Sequence, residues 1–137
     1  MDAAPIPSAT LVIFGATGDL TRRLLIPAII NLTRSGLVGD DLEILGVGIE
    51  AGDDASLVAR LDSFLAGLSD PIRPETDDAW RSLRQRISYI SGDFTQDGIF
   101  VEIKKHLTNC NAAFYFAVPP QFFGPLVEKL AQHGLTS

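Results

Sequence analysis

A single cysteine, Cys110, stands in 137 residues, so no internal disulfide can staple the chain and thiolates are too few for a cysteine-rich zinc site. Cys110 lies at the head of an apolar run, which favours a structural role, and no metal site is expected. Basic charge is also scarce. Lys+Arg 11 against Asp+Glu 17 gives a formal net charge of −6, which argues against binding a nucleic-acid backbone. No apolar run approaches the roughly eighteen residues that span a bilayer, so no membrane contact is expected. The first nine residues, Met1 to Ala9, hold Asp2 and prolines where a signal peptide would have a basic region and an apolar core. They read as a flexible arm, and the expected location is the cytoplasm.

What the chain does have is 46% hydrophobic residues, enough for one buried core over residues 10–137. Its most informative segment is Leu11-Val-Ile-Phe-Gly15-Ala-Thr-Gly18-Asp-Leu20-Thr-Arg22-Arg23. Four apolar residues in a row read as a strand covered on both faces. Gly15 and Gly18 then permit a tight turn into a helix, whose free N–H groups and positive dipole end suit a phosphate. The spacing is GxxGDL, with Thr17 where the dinucleotide fingerprint GxGxxG often has its middle glycine. A glycine-rich turn with no ligand is the plain alternative.

Leu20 to Arg34 predicts the first crossover helix, with Leu20, Leu24, Leu25, Ala28, Ile29 and Leu32 as its packing stripe. Pro27 predicts a bend or distorted first turns, and Gly36 a left-handed cap. Leu42 to Gly48 reads as the second strand, with helices over Asp53 to Leu68 and Glu75 to Arg86 after it. Arg86 to Ser91 alternates as a third strand, and Thr95 is the expected N-cap of a helix through Leu107. Ala112 to Val118 is the fourth strand, stopped by Pro119-Pro120, and Gln121 to His133 the last helix. Strands alternating with helices imply an α/β, Rossmann-like parallel sheet of order 3-2-1-4 with helices on both faces. Ligands of such sheets bind past the carboxyl ends of the strands, where Gly15 to Leu20, Gly48 to Glu50, Gly92 to Phe94 and Ala117 to Pro120 would converge.

Together these strings resemble the cofactor domain of the glucose-6-phosphate dehydrogenase family. The resemblance rests on Phe14-Gly-Ala-Thr-Gly-Asp-Leu-Thr-Arg-Arg with Leu25-Ile-Pro-Ala-Ile, on Ser91-Gly-Asp-Phe, and on Ala113-Phe-Tyr-Phe-Ala-Val-Pro-Pro with Phe123-Gly-Pro. It implies that Gly15, Ala16, Thr17, Gly18, Asp19, Leu20, Thr21 and Arg22 wrap a dinucleotide pyrophosphate. Asp93 and Phe94 would border the adenine. Tyr115 and the corner Ala117, Val118 and Pro119 would lie under the nicotinamide half. The bland readings are a solvated helix arginine at Arg22, a core aromatic at Tyr115 and a strand stop at Pro119.

Two departures from the family pattern bear on the cofactor. The arginine that usually ends the second strand and grips the 2′-phosphate of NADP is replaced by Ile49, and Glu50 follows. A charge-assisted contact of that kind contributes about 1.5–3 kcal/mol, so its loss predicts NADP binding weakened roughly ten- to a hundredfold. Glu50 suits a ribose diol, which leans the site toward NAD; a solvated loop acid is the alternative, and Arg22 or Arg23 could replace the lost contact. Further, the family's Lys-Arg-Lys after the turn reads Arg22-Arg23-Leu24 here, which leaves substrate contact from this segment unsupported.

The family's catalytic Glu-Lys-Pro and Asp-His-Tyr-Leu-Gly-Lys strings do not occur in the sequence. His106 and His133 fall late in their helices, where helix-end roles outweigh catalysis. No catalytic residue is therefore expected in this chain: relative to the full family domain it is incomplete, binding cofactor without turnover and meeting glucose 6-phosphate only in a full-length protein. Phe122, Phe123 and Val127 are candidates for an uncovered apolar patch that drives self-association. Competing readings are a non-catalytic nucleotide-binding or interaction module, a purely structural domain, and an unrelated Rossmann enzyme. The last lacks its expected Tyr-x-x-x-Lys pair, since the residue four positions after Tyr115 is Pro119 and that after Tyr89 is Asp93.

Overall fold

The computed structural model describes residues 9–37, 41–107 and 111–135. Cys110 and the first eight residues of the expected arm lie outside that set. Among the described residues four strands, β1 (Ala9–Phe14), β2 (Leu42–Gly48), β3 (Ile87–Ser91) and β4 (Asn111–Phe116), form one sheet of order β3-β2-β1-β4. All three pairings are parallel, and Ala9 is already paired with Leu42 and Asn111, so the strand begins inside the segment expected to be an arm.

Alternation along β1 sends Ile13 to one face and Val12 and Phe14 to the other, and each face has its own core. On the first face lie α1 (Ile26–Arg34), α2 (Asp54–Ala66) and α3 (Asp78–Leu83), contributing Ile26, Ile30, Leu61, Leu65, Trp80 and Leu83. On the second lie α4 (Asp97–His106) and α5 (Phe123–Gln132), which pack Phe100, Ile103, Leu126 and Leu130 against Phe14 and Val47.

The first crossover helix departs from its predicted stripe. Thr21–Leu25 is a π-helical turn in which the Ile26 N–H reaches back five residues to the Thr21 carbonyl. Pro27, at the start of α1, lacks the N–H that would bond the Arg23 carbonyl, and its ring crowds that carbonyl; opening the turn by one residue relieves both. The extra residue shifts the helical phase. Thr21, Ile26, Ile29 and Ile30 face inward, while Leu20, Leu24 and Leu32 of the expected stripe are exposed. Arg22 and Arg23 are thereby kept on the outside. Gly36 takes the expected left-handed cap at φ 74.

Other boundaries follow from caps. Asp53 closes a reciprocal capping box with Ser56 at the start of α2. Asp77 accepts the Trp80 N–H, so α3 begins at Asp78 instead of Glu75, and Arg84–Arg86 forms a short 3₁₀ turn before β3. Thr95 is not the cap of α4. That helix starts after Gln96, because Asp93 claims Thr95 in a local turn, accepting its N–H at 2.8 Å and its hydroxyl at 2.6 Å. Phe122 is no surface patch either: its ring meets Phe94 edge-on at 5.4 Å in the second core, leaving Phe123 and Val127 exposed. Among the described residues no helix is long and apolar enough to cross a membrane.

Candidate functional site

The carboxyl edge of the sheet is held together by backbone bonds between the four predicted loops. Gly15 and Ala16 both donate to the Val47 carbonyl, at 2.9 and 3.1 Å, which folds the turn over the end of β2. Ala117 donates to Phe14 at 2.8 Å and Gly92 to Gly48 at 2.8 Å, tying in the ends of β4 and β3. Gly15 has φ +89, and a Cβ there would lie 2.3 Å from the Ala117 carbonyl oxygen. Only glycine fits between the turn and the β4 corner.

Within the turn, Gly18 donates to the Gly15 carbonyl at 2.9 Å, and the buried Thr21 hydroxyl donates to that same oxygen at 3.0 Å. The Thr21 side chain therefore braces the turn, a role that the inward shift of the π-helical turn assigns to it. A helix begins at Asp19, so the N–H groups of its first turn have no partner within the helix. Asp19 pairs with Arg22 at 3.3 Å and with Arg23 at 2.8 Å; the Arg23 bond foremost holds its carboxyl below the usual range. The Arg22 guanidinium also lies over the Phe64 ring, 5.8 Å from its centre.

At the end of β2, Ile49 is exposed and Glu50 turns back toward the glycine turn. Its carboxylate accepts from Arg60 of α2 at 2.9 Å, and the Thr17 hydroxyl, then Arg60, hold it below its ordinary pKa. The Glu50 backbone carbonyl accepts from the Tyr89 hydroxyl at 2.5 Å and from Ser91 at 2.9 Å. Burial raises the Tyr89 phenol, with the Glu50 charge adding to it. A Cβ at Gly48 would lie 2.8 Å from the Tyr89 oxygen and 3.2 Å from Thr17 Oγ1, so this glycine lets both side chains close on the strand end. Arg60, Tyr89 and Ser91 are site residues that the sequence reading missed. Arg60 flanks the buried stripe of Leu57, Leu61 and Leu65 and lines the cleft beside Leu57 and Leu61, and no spacing along the chain links it to Glu50.

Of the remaining predicted residues, Asp93 stands exposed beside the β3 end and is engaged by Thr95, whose hydroxyl and N–H lower its pKa. The Phe94 ring turns into the second core, edge-on to Phe14 at 6.3 Å, and forms floor more than rim. Tyr115 is partly exposed on β4, and Val118 reaches the turn, its Cγ1 3.1 Å from the Cβ position of Gly15. Pro119 is exposed and leads into the 3₁₀ turn Pro120–Phe122. Ala16, Thr17, Gly18, Arg22, Leu57, Arg60 and Leu61 line a narrow cleft that opens at Arg22 and Arg60 onto a depression of about 510 Å³ reaching Phe64. A comparable depression of about 420 Å³ lies elsewhere, between the end of α1 and the start of α3. Its charged groups are spent on structure, since Asp77 caps α3 and pairs with Arg34, which leaves the glycine turn as the candidate site.

Residues 12–137 match the family model described as glucose-6-phosphate dehydrogenase, NAD binding domain. The chain belongs to this family. Glucose-6-phosphate 1-dehydrogenase of Chlamydia pneumoniae is 31% identical over 137 residues, covering 94% of this chain and 26% of the relative. The Dickeya dadantii enzyme of the same name is 34% identical over 128 residues, covering 91% and 26%. The chain thus spans about a quarter of the length of the curated glucose-6-phosphate dehydrogenases it matches. The crystal structure of glucose-6-phosphate 1-dehydrogenase from Mycobacterium avium superposes with a TM-score of 0.84 at 31% identity, covering 96% of this chain and 28% of that one. A second glucose-6-phosphate dehydrogenase structure, in complex with its substrate glucose-6-phosphate, shares the fold at a TM-score of 0.83 and 24% identity, covering 100% and 30%.

Proposed function

We propose that this chain binds a nicotinamide dinucleotide across the carboxyl edge of its sheet, as the cofactor domain of an enzyme that oxidises glucose 6-phosphate. The observation that carries the reading is the convergence of the Gly15 turn on Val47 and Ala117, beside Arg22, Arg60 and Glu50. The donor set suits such a ligand. First-turn N–H groups and Arg22 offer themselves to a pyrophosphate, and the Glu50 carboxylate to a ribose diol. In the assembled enzyme the proposed reaction is oxidation of glucose 6-phosphate to 6-phosphogluconolactone with hydride passed to NADP or NAD.

This chain's own part is to bind and orient the cofactor. His106 bonds the Glu102 carbonyl at 3.1 Å and His133 sits 3.1 Å from Asp97 while stacking on Phe100, so both histidines serve helix surfaces. We therefore assign no general base here and propose that the chain alone does not turn over. With Ile49 at the position of the usual arginine, NADP is held less firmly than in a typical member, and the site leans toward NAD. The exposed Phe123 and Val127 support self-association of the chain, and the proposed location is the cytoplasm. Sedimentation at rising concentration checks the former; a monomer throughout contradicts it.

Calorimetric titration with NAD and with NADP, followed by glucose 6-phosphate, tests the reading. Binding of a dinucleotide without response to the sugar phosphate is the expected result. Binding of neither contradicts it.

A further inference from the structure

The arginine missing at Ile49 has a spatial counterpart in another element. Arg60 projects from α2 toward the end of β2, and with the Thr17 hydroxyl it already holds an anion, the carboxylate of Glu50. Arg22 lines the same cleft and adds positive charge to it. The Arg60 guanidinium and the Thr17 hydroxyl meet at the carboxyl edge of β2, where a doubly wound sheet receives the 2′ position of an adenosine ribose. Both can serve a phosphate as they serve a carboxylate.

We propose that Arg60, with Thr17, is the 2′-phosphate subsite of this chain, and that Glu50 is a resident anion which the 2′-phosphate of NADP must displace. This rests on the cofactor-binding reading above. The Arg60 and Glu50 side chains are about half exposed, so the pair is weakly held and can open. A 2′-phosphate brings up to two charges against one carboxylate and takes over the same donors. NAD brings none; it leaves the Arg60–Glu50 pair closed and the carboxylate free to accept from the ribose hydroxyls. Cofactor choice then depends on one side-chain contact between two neighbouring elements.

The test is calorimetry of the 137-residue chain and its variants against NAD and NADP, with the emission of Trp80 reporting retention of the fold. Glu50→Gln is expected to tighten NADP by about tenfold while NAD stays level or weakens. Adding Arg60→Ala is expected to remove that gain, and Arg60→Lys, which keeps the charge but not the fork, to restore part of it. The gain should shrink as salt is raised. NADP affinity unmoved by Glu50→Gln, or a gain that survives Arg60→Ala, overturns the proposal while leaving cofactor binding intact. Failure of every folded variant to bind either dinucleotide overturns the cofactor reading and this proposal with it.

Discussion

The carbonyl oxygen of Ala117 closes the space beside Gly15, lying 2.3 Å from the position a Cβ would take. That one approach locks the glycine turn to the β4 corner and fixes the floor of the site. Gly15→Ala should therefore be costly twice over: about 1–2 kcal/mol for a side chain at φ +89 and about 1–3 kcal/mol for the forced contact. Urea unfolding should show a lower midpoint at unchanged slope. Dinucleotide affinity should fall with it, because the turn must move.

Thr21 offers a milder perturbation of the same turn. Its hydroxyl is buried and donates to the Gly15 carbonyl at 3.0 Å. Thr21→Val keeps the shape and removes that donor, so about 0.5–1.5 kcal/mol of stability should go. Denaturant titration checks the loss, and unchanged stability would show that the bond contributes nothing.

Asp62 links α2 to α3 through the buried Trp80 indole, whose Nε1–H donates to its carboxylate at 2.8 Å, and through Arg84. Asp62→Ala leaves a buried N–H without its partner, a loss of about 1–3 kcal/mol. Trp80 is the sole tryptophan, so its emission maximum should shift to the red as water reaches the indole.

Acid sensitivity should have a contribution from Asp77. Burial opposes its ionisation, yet the Arg34 guanidinium and the Trp80 N–H outweigh this and hold the carboxyl below the usual aspartate range. A group with a depressed folded-state pKa adds stability that is present above its unfolded value and is lost as pH falls through the folded one. Asp77→Ala should cost about 0.5–2 kcal/mol near neutrality, where the cap is charged. The difference from the wild type should shrink below about pH 4. Thermal unfolding across that range measures it, and a pH-independent difference would contradict the assignment.

Much of this architecture was legible in the sequence because periodicity and glycine placement are local signals. The β2 boundaries, the sheet order and the four converging loops follow from apolar runs and turn residues. The inward face of the first crossover helix was not legible. Pro27 announced a distortion but not that one π-helical turn would bury Thr21 and expose Leu20 and Leu24. Thr95 misled because a nearby aspartate competes for its hydroxyl, and Arg60 was missed because it reaches Glu50 from a separate element. The Arg60 contact depends on tertiary geometry, which spacing along the chain does not encode, whereas the Asp93–Thr95 turn is a local competition between two capping residues two positions apart.

The central claim is that a dinucleotide sits over the glycine turn at the carboxyl edge of the sheet. Amide hydrogen exchange of the chain with and without saturating NAD or NADP tests it most directly. The account predicts added protection over Gly15 to Leu20 and at Ala117 and Val118. Protection confined to the depression around Arg34, Asp77 and Ser82, or none anywhere, would contradict it.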